Sequence, residues 1–324
     1  MYLKKTIIAM TAVAAFVGLA ATTASAAPNI PCKTAKLIVP WKAGGGTHVI
    51  FSIFEKTIQN LDVTPKIKVV TIGGQGGNKG AKEAARSKPD GCTLFAIHQS
   101  AITSYLNGRI DFHFDNFETI SLLTSTPDIV GAAGSVPWNT FEEFKKAALA
   151  APGTIKVGAT FGSTSQFYWL ILEDLTGMKF KFVPYDGTRE RMTALLSGAI
   201  DMGGLNVASG GKYITGGDLK GFAIAAAERS KSLPDMPTLT ELGIDMIYAL
   251  DRGIVAPKGT PKDVIDHWAG IFKQAAEDAD FLSQMEAKET GVNWVGPAGY
   301  REWANKTFAA HEKVAIKIGM WKKQ

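Results

Sequence analysis

From Lys36 onward, short runs of β-branched and aromatic residues keep ending in glycine-rich or small-residue loops that open amphipathic helices. That alternation is the pattern of layered α/β folds, in which helices cover a largely parallel sheet. Strands are expected at 36–41, 66–72 and 93–98, with helices at 49–60, 78–87 and 100–107. A strand near 120–131 crosses to a second unit. There a helix at 141–150 precedes strands at 155–160, 179–184, 200–205 and 221–226, with helices at 166–176 and 188–197.

Pro234-Asp235-Met236-Pro237 breaks the chain, and a strand resumes at 254–256. Thr260-Pro261 then predicts a helix with Thr as N-cap and Pro in the first helical position. Val264, Ile265, Trp268, Ile271, Phe272 and Ala275 follow a 3.6-residue spacing, so one face of that helix is core. Two more helices are expected at 280–290 and 297–319. Because these late helices follow the second unit's strands, the first unit is expected to receive them. That makes it discontinuous, with two crossings between units, a topology suited to a hinged, two-lobed receptor.

The length of 324 residues agrees with two domains. A composition of 46% hydrophobic and 20% charged residues excludes a disordered chain. The expected division is 1–26 as a signal peptide, 27–125 plus 245–324 as lobe 1, and 126–244 as lobe 2. In the first segment Lys4 and Lys5 precede an apolar run from Thr6 to Ala21, and Ala24-Ser25-Ala26 offers a cleavage site after Ala26. Export to the periplasm is the expectation. Removing that segment takes away two lysines, leaving 33 basic against 30 acidic residues, a net charge of +3. Near balance, without a basic run, gives no support to nucleic-acid binding.

Two cysteines, Cys32 and Cys92, each sit just ahead of an expected strand. If those strands are parallel neighbours, a bridge is geometrically possible; otherwise two thiols remain.

Nucleotide and catalytic motifs fail on spacing. The run Gly73-Gly74-Gln75-Gly76-Gly77-Asn78-Lys79-Gly80 does not fit G-x-G-x-x-G, and Gly211-Lys212 lacks the rest of a P-loop. There is no G-x-S-x-G elbow. His48, His98, His113, His267 and His311 show no metal-ligand spacing. No enzyme, metal or cofactor is expected.

Three strand-loop-helix junctions carry the chemistry instead: 43–48, 161–165 and 185–188. Each places helix N-terminal amides at the carboxyl end of a strand, where open α/β sheets bind ligands and where the helix dipole favours an anion. Glycine permits close backbone approach, and Thr47, Ser163, Thr164 and Ser165 add hydroxyls. Ordinary helix capping explains any one loop taken alone; three such loops spread over two lobes suggest a carboxylate site built from neutral donors.

These residues also carry a resemblance. Leu37-Ile38-Val39-Pro40-Trp41-Lys42-Ala43-Gly44-Gly45-Gly46-Thr47, Gly74-Gln75-Gly76-Gly77-Asn78-Lys79-Gly80, Pro89-Asp90-Gly91-Cys92-Thr93-Leu94, Val183-Pro184-Tyr185-Asp186-Gly187, Leu233-Pro234-Asp235-Met236-Pro237-Thr238 and Arg252-Gly253-Ile254-Val255-Ala256-Pro257-Lys258-Gly259-Thr260-Pro261 occur in that order. Together they resemble the periplasmic substrate-binding proteins of tripartite tricarboxylate transporters, the Bug-type receptors. The resemblance implies a two-lobed, type II-like periplasmic binding protein fold closing over a di- or tricarboxylate or related organic acid. It further implies a monomer that delivers its ligand to a permease of a large and a small subunit.

Carried over, Gly45, Gly46, Thr47, Ser163, Thr164 and Tyr185 belong to the anchoring end, with Ser165 beside them. Gln75, His98, Gln99, Ser100, Asn206 and Arg252 fall on the cleft wall. His48 stands where the family usually has Asp, and either caps the loop or meets the ligand. Cys92 stands where an aromatic residue is common. Arg189 and Arg191, at the start of a helix, are each expected either to be solvated, the default there, or to pair with a second carboxylate. Arg252 is expected to bind a second carboxylate or to form an inter-lobe ion pair. An exported enzyme acting on a similar acid and a sensor subunit for a membrane kinase are the rival readings.

Overall fold

A computed structural model describes residues 28–321. The expected signal peptide and cleavage site therefore lie outside the described residues. In chain order the first elements are β1 (Thr34–Val39), α1 (Gly46–Asn60), β2 (Lys66–Thr71), α2 (Asn78–Ala85), β3 (Thr93–Ile97), α3 (Ser100–Leu106) and β4 (Phe117–Pro127). The second unit holds β5 (Ile129–Ala133), α4 (Phe141–Ala150), β6 (Lys156–Ala159), α5 (Thr164–Thr176), β7 (Lys181–Pro184), α6 (Thr188–Leu196), β8 (Met202–Leu205), α7 (Val207–Thr215) and β9 (Leu219–Ile224). The chain ends with β10 (Ala249–Pro257), α8 (Lys262–Ala276), α9 (Ala279–Glu286), β11 (Gly291–Val295) and α10 (Pro297–Lys317).

Among the described residues these strands form a six-stranded sheet, β11-β4-β10-β3-β1-β2, and a five-stranded sheet, β7-β6-β8-β5-β9. The plan is the same in both. Three parallel strands (β2-β1-β3 and β7-β6-β8) adjoin an antiparallel strand, β10 in one case and β5 in the other. Each antiparallel strand reaches its place after the chain has crossed from the other sheet.

Each sheet has its own core. The first packs Phe54 against Phe272 and Phe281, with Trp268, Phe95 and Tyr300 fully buried. The apolar face read from the α8 spacing is the buried one. The second core centres on Phe144, Trp169, Phe180 and Met202. Burial of such side chains contributes about 1.5–3 kcal/mol each and supplies most of the folding drive.

The fold corrects the sequence reading in several places, and α7 is a helix that the reading did not contain. The single strand expected at 120–131 is two, β4 and β5, separated by Asp128, because the chain changes sheets at that residue. Helix α8 starts at Lys262, with Pro261 rather than Thr260 as N-cap; the Thr260 hydroxyl instead donates to the Pro257 carbonyl at 2.7 Å. The helix expected at 280–290 is shorter, and β11 follows it as a half-exposed edge strand.

The open question about the cysteines is closed. The strands β1 and β3 are parallel neighbours, the Lys36 amide donates to the Cys92 carbonyl, and Cys32 and Cys92 are bridged with Cα atoms 5.9 Å apart.

Where the chain crosses, three backbone bonds form a ring. Asp128 N–H donates to Tyr248 O (3.1 Å), Tyr248 N–H to Ala225 O (2.9 Å) and Ala225 N–H to Asp128 O (2.8 Å). Both crossings therefore meet at one point, which is the natural hinge for closure of the two halves.

Candidate ligand-binding site

The lobes are closed on each other. Thr103 and Ser104 of α3 donate to the Gly162 carbonyl at 3.0 and 2.8 Å, and the Gly76 amide donates to Asp186 at 3.2 Å. Arg189 donates to the Ala43 carbonyl at 3.0 Å, and Lys42 pairs with Glu190 at 2.7 Å. Between them lies a cavity of about 40 Å³, enough for a few waters or the core of a small ligand.

Three helix N-termini border this cavity: α1 after Gly45, α5 after Ser163 and α6 after Gly187. None has a side-chain cap. Their first amides are therefore not consumed by capping, and their dipoles add positive potential from both lobes.

Most residues singled out in the sequence meet here. Gly45, Gly46, Thr47 and His48 line one wall; Ser163, Thr164, Ser165 and Asn206 line the other, with His98 and Arg252 between. Gly46 lies against the far wall: a Cβ there would stand 3.5 Å from both Arg252 Nη2 and Asn206 Oδ1, in van der Waals contact. Two hydroxyl and ring groups serve the loops. The Ser165 hydroxyl accepts from the Thr160 amide at 3.0 Å, and His48 Nδ1 accepts from the Gly44 amide at 3.3 Å, the capping role weighed for it. Burial holds the His48 imidazole below its ordinary pKa. Asn206 Oδ1 caps α7 through the Ser209 amide, leaving its NH₂ as the free donor end.

Four candidates stand elsewhere. Gln75 is exposed on a left-handed turn outside the cavity (φ 55°). Tyr185 packs over Gly158 and faces an outer depression. The Gln99 amide is engaged with Asp251 and the Ala249 carbonyl, each at 3.0 Å. Ser100 is buried, its amide donating to His98 Nδ1 at 3.2 Å. That bond places the proton of the neutral His98 ring on Nε2. Burial, with Arg252 and Arg191 nearby, holds His98 well below its usual pKa, and Trp41 stacks on it at 4.3 Å.

Sequence reasoning placed Arg252 in the site but did not name Asp128, and it gave Arg191 a solvated position by default. Arg191, expected on the surface, is 5% exposed. Its Nη1 donates to Thr160 Oγ1 (2.9 Å), and its Nη2 to Thr188 Oγ1 (3.2 Å) and the Gly204 carbonyl (3.3 Å). The signal was present: Arg191, Ala194 and Leu195 share one helical face, and all three are buried.

Arg252 is fully buried on β10. Its Nε donates to Thr47 Oγ1 (3.1 Å), and its Nη1 to Thr126 Oγ1 (2.7 Å) and the Leu250 carbonyl (3.3 Å). The expected inter-lobe ion pair is absent among the described residues: its three partners are neutral, and Arg252 Nη2 has none. Asp128, at the hinge, also lines the cavity, 6% exposed, with Oδ2 unpartnered. Burial raises its pKa to about 7, with Arg191 and Arg252 pulling it back and Asp251 adding to the rise. Burial brings both arginines down to about 10, so they stay protonated at neutral pH.

The arrangement can hold an anion. No group of three metal-ligating side chains occurs among the described residues, and none of the described helices is long and apolar enough to cross a membrane.

Comparison with known proteins agrees with this architecture. The periplasmic binding protein BugD superposes with a TM-score of 0.83 at 25% identity, covering 90% of this chain and 99% of that one. MatC from Rhodopseudomonas palustris, determined with bound malate, gives 0.82 at 24% identity, covering 88% of this chain and 99% of its own. Among curated sequences, the protein of the gbd 5′ region of Cupriavidus necator is 28% identical over 319 residues, 97% of this chain and 96% of its own length. BugT of Bordetella pertussis is 26% identical over 267 residues, 79% and 82% of the two chains. The family model of the tripartite tricarboxylate transporter receptors matches residues 67–318, and the chain belongs to that family.

Proposed function

We propose that this receptor works in the periplasm, captures a small organic acid in the inter-lobe cavity and hands it to a tripartite membrane transporter with a large and a small permease subunit. The observation that supports this most strongly is the convergence of three uncapped helix N-termini, contributed by both lobes, on one closed cavity. Free amides and aligned dipoles stabilise an acid group there without a counter-ion. Closure follows from the same geometry. An acid bridging α1 and α5 stabilises only the state in which both lie on it, so binding shifts the population toward the closed form. That form is the one a permease can distinguish from the empty receptor.

A thermal-shift screen of the mature protein against organic acids, each beside its methyl ester, tests the reading. A ligand that binds only the native state raises Tm, by mass action about 2.7 kcal/mol of stability at a hundredfold excess over Kd. At least one free acid should shift Tm while its ester does not. Esters acting as well as acids, or no response to any acid, would overturn it.

A further inference from the structure

Helix α5 belongs to lobe 2, yet its Phe167 is fully buried in the core of lobe 1. The Phe167 ring packs on His311 of α10 with centroids 5.6 Å apart, and Lys317 with Asp174 joins the same two helices. Beside them stands Tyr248, whose backbone belongs to the ring of bonds at the hinge. Its hydroxyl lies 3.5 Å from the Thr164 carbonyl and 3.4 Å from His311 Nε2. Thr164 is the first residue of α5 and lines the cavity. Helix α10 of lobe 1 therefore reaches the ligand-facing start of α5 through one phenol.

That contact is one proton short. His311 Nδ1 lies 2.8 Å from the Thr307 carbonyl, so the neutral ring carries its proton there and presents Nε2 as an acceptor. The Thr164 carbonyl is an acceptor too, and the Tyr248 hydroxyl has a single proton for both. Both distances are long for a hydroxyl bond. A proton on Nε2 completes the series: His311 donates to the Tyr248 oxygen, which frees the phenol proton for Thr164.

The other ionisable groups of the elements around His311 are engaged elsewhere. On α5, Asp174 holds Lys317 and Glu173 accepts from the Phe180 amide at 2.7 Å. On α10, Glu312 accepts from the Trp321 indole at 3.2 Å and Lys313 is exposed. Helix α3 brings only Tyr105, which packs on Phe308. Asp128 and Asp251 act on Tyr248 from the hinge side. Burial lowers the His311 pKa and the Thr307 carbonyl raises it, and the ring is neutral at pH 7.

We propose that Tyr248 and His311 are positioning residues for the ligand: they hold the start of α5 in place across the lobes, and binding is thereby linked to protonation of His311. This deepens the receptor reading and rests on it. In an open form α5 and α10 part with their lobes and the series is broken. The bound, closed form therefore holds the His311 proton more tightly than the free form. The added affinity is full below the His311 midpoint of the free protein and is lost as pH rises through that of the complex.

The test follows the histidine ring signals of the mature protein by NMR from pH 4 to 8, free and saturated with ligand. The probe is whichever of malate, citrate, adipate and benzoate binds tightest by calorimetry, and His311→Gln assigns the signal. The His311 midpoint is expected to lie below about 6.5 in the free protein and to rise by about 0.7 on binding. The affinity ratio of wild type to His311→Gln, which cancels titration of the ligand and of Asp128, should correspondingly fall by up to about fivefold between pH 5 and 7.5. Tyr248→Phe keeps the ring but loses the hydroxyl, so its His311 midpoint should be the same with and without ligand. If that variant does not fold, the wild-type midpoints still decide. An unmoved His311 midpoint in a protein that binds its acid, or an equal rise in Tyr248→Phe, would overturn the positioning role and leave the receptor reading intact. No binding by any of the four acids would overturn the receptor reading and this inference with it.

Discussion

Helices α2 and α6 occupy the same place in the two lobes: each runs from the outer parallel strand back across the middle one, β1 or β6. They meet it differently. In lobe 1 the glycine is on the helix. A Cβ on Gly80 would lie 2.8 Å from the Ile72 carbonyl and 2.9 Å from Pro40, so α2 lies flush on the strand with no room for a side chain between. In lobe 2 the glycine is on the strand. A Cβ on Gly158 would lie 3.2 Å from Arg191 Cγ and 2.4 Å from Ile200, and the space it vacates lets Arg191 run from α6 across β6. The shared topology sets where helix N-termini fall; the placement of one glycine decides whether a charged side chain can join them.

The lobes also differ in how they are held. Lobe 1 carries the Cys32–Cys92 bridge and the packing of α8, α9 and α10, while lobe 2 rests on a hydrophobic core with no disulfide among the described residues. The largest expected effect concerns this asymmetry. Closing a loop of 60 residues is worth about 4 kcal/mol in the chain-entropy account. A double Cys32→Ser, Cys92→Ser variant should lose about that much. Hydrogen exchange should show the loss in β1 and β3 before β6 and β8. Equal deprotection of both sheets would mean that the lobes unfold as one unit.

Next comes Asp128, which belongs to the junction between lobes. Its pKa is raised from 3.8 to about 7 on folding, so the native state holds a proton that the unfolded chain gives up. The stability tied to that proton is full below pH 4 and is lost as pH rises through about 7. Asp128→Asn should therefore flatten the fall and leave the variant about 2–4 kcal/mol more stable than the parent at pH 8. Denaturant titrations at pH 4.5 and 8, which span most of the fall, measure this. A parent whose stability does not fall over that interval would contradict the burial of an ionisable carboxyl at the hinge.

The smallest expected effects sharpen the glycine comparison itself. Gly80→Ala and Gly158→Ala should each cost about 1–3 kcal/mol by overpacking. Gly158→Ala should in addition weaken ligand binding about tenfold, because it moves Arg191, whereas Gly80→Ala should leave affinity unchanged. Equal effects of the two on affinity would show that Arg191 does not depend on the space over β6.

Much of this molecule was legible in the sequence, for reasons that name its limits. Glycine-bearing loops after strands marked the helix N-termini of α1, α5 and α6, since backbone approach to a ligand leaves a local trace. The face of α8 followed from spacing alone. β11 left no such trace, because an edge strand with half-exposed residues has neither alternation nor a continuous apolar run. Asp128 was hidden in what read as one long strand; only the change of sheet gives it its role. Arg191 was readable in hindsight from the burial of Ala194 and Leu195 beside it, but a charge at the start of a helix ordinarily faces water.

The central claim is that groups from both lobes hold one acid. Diffraction from crystals grown with the best ligand of the screen measures it directly. The account predicts that the ligand's acid group lies within hydrogen-bond distance of backbone amides at the start of both α1 and α5. A ligand that touches one lobe only, or that sits outside the cavity between Gly46 and Asn206, would contradict it.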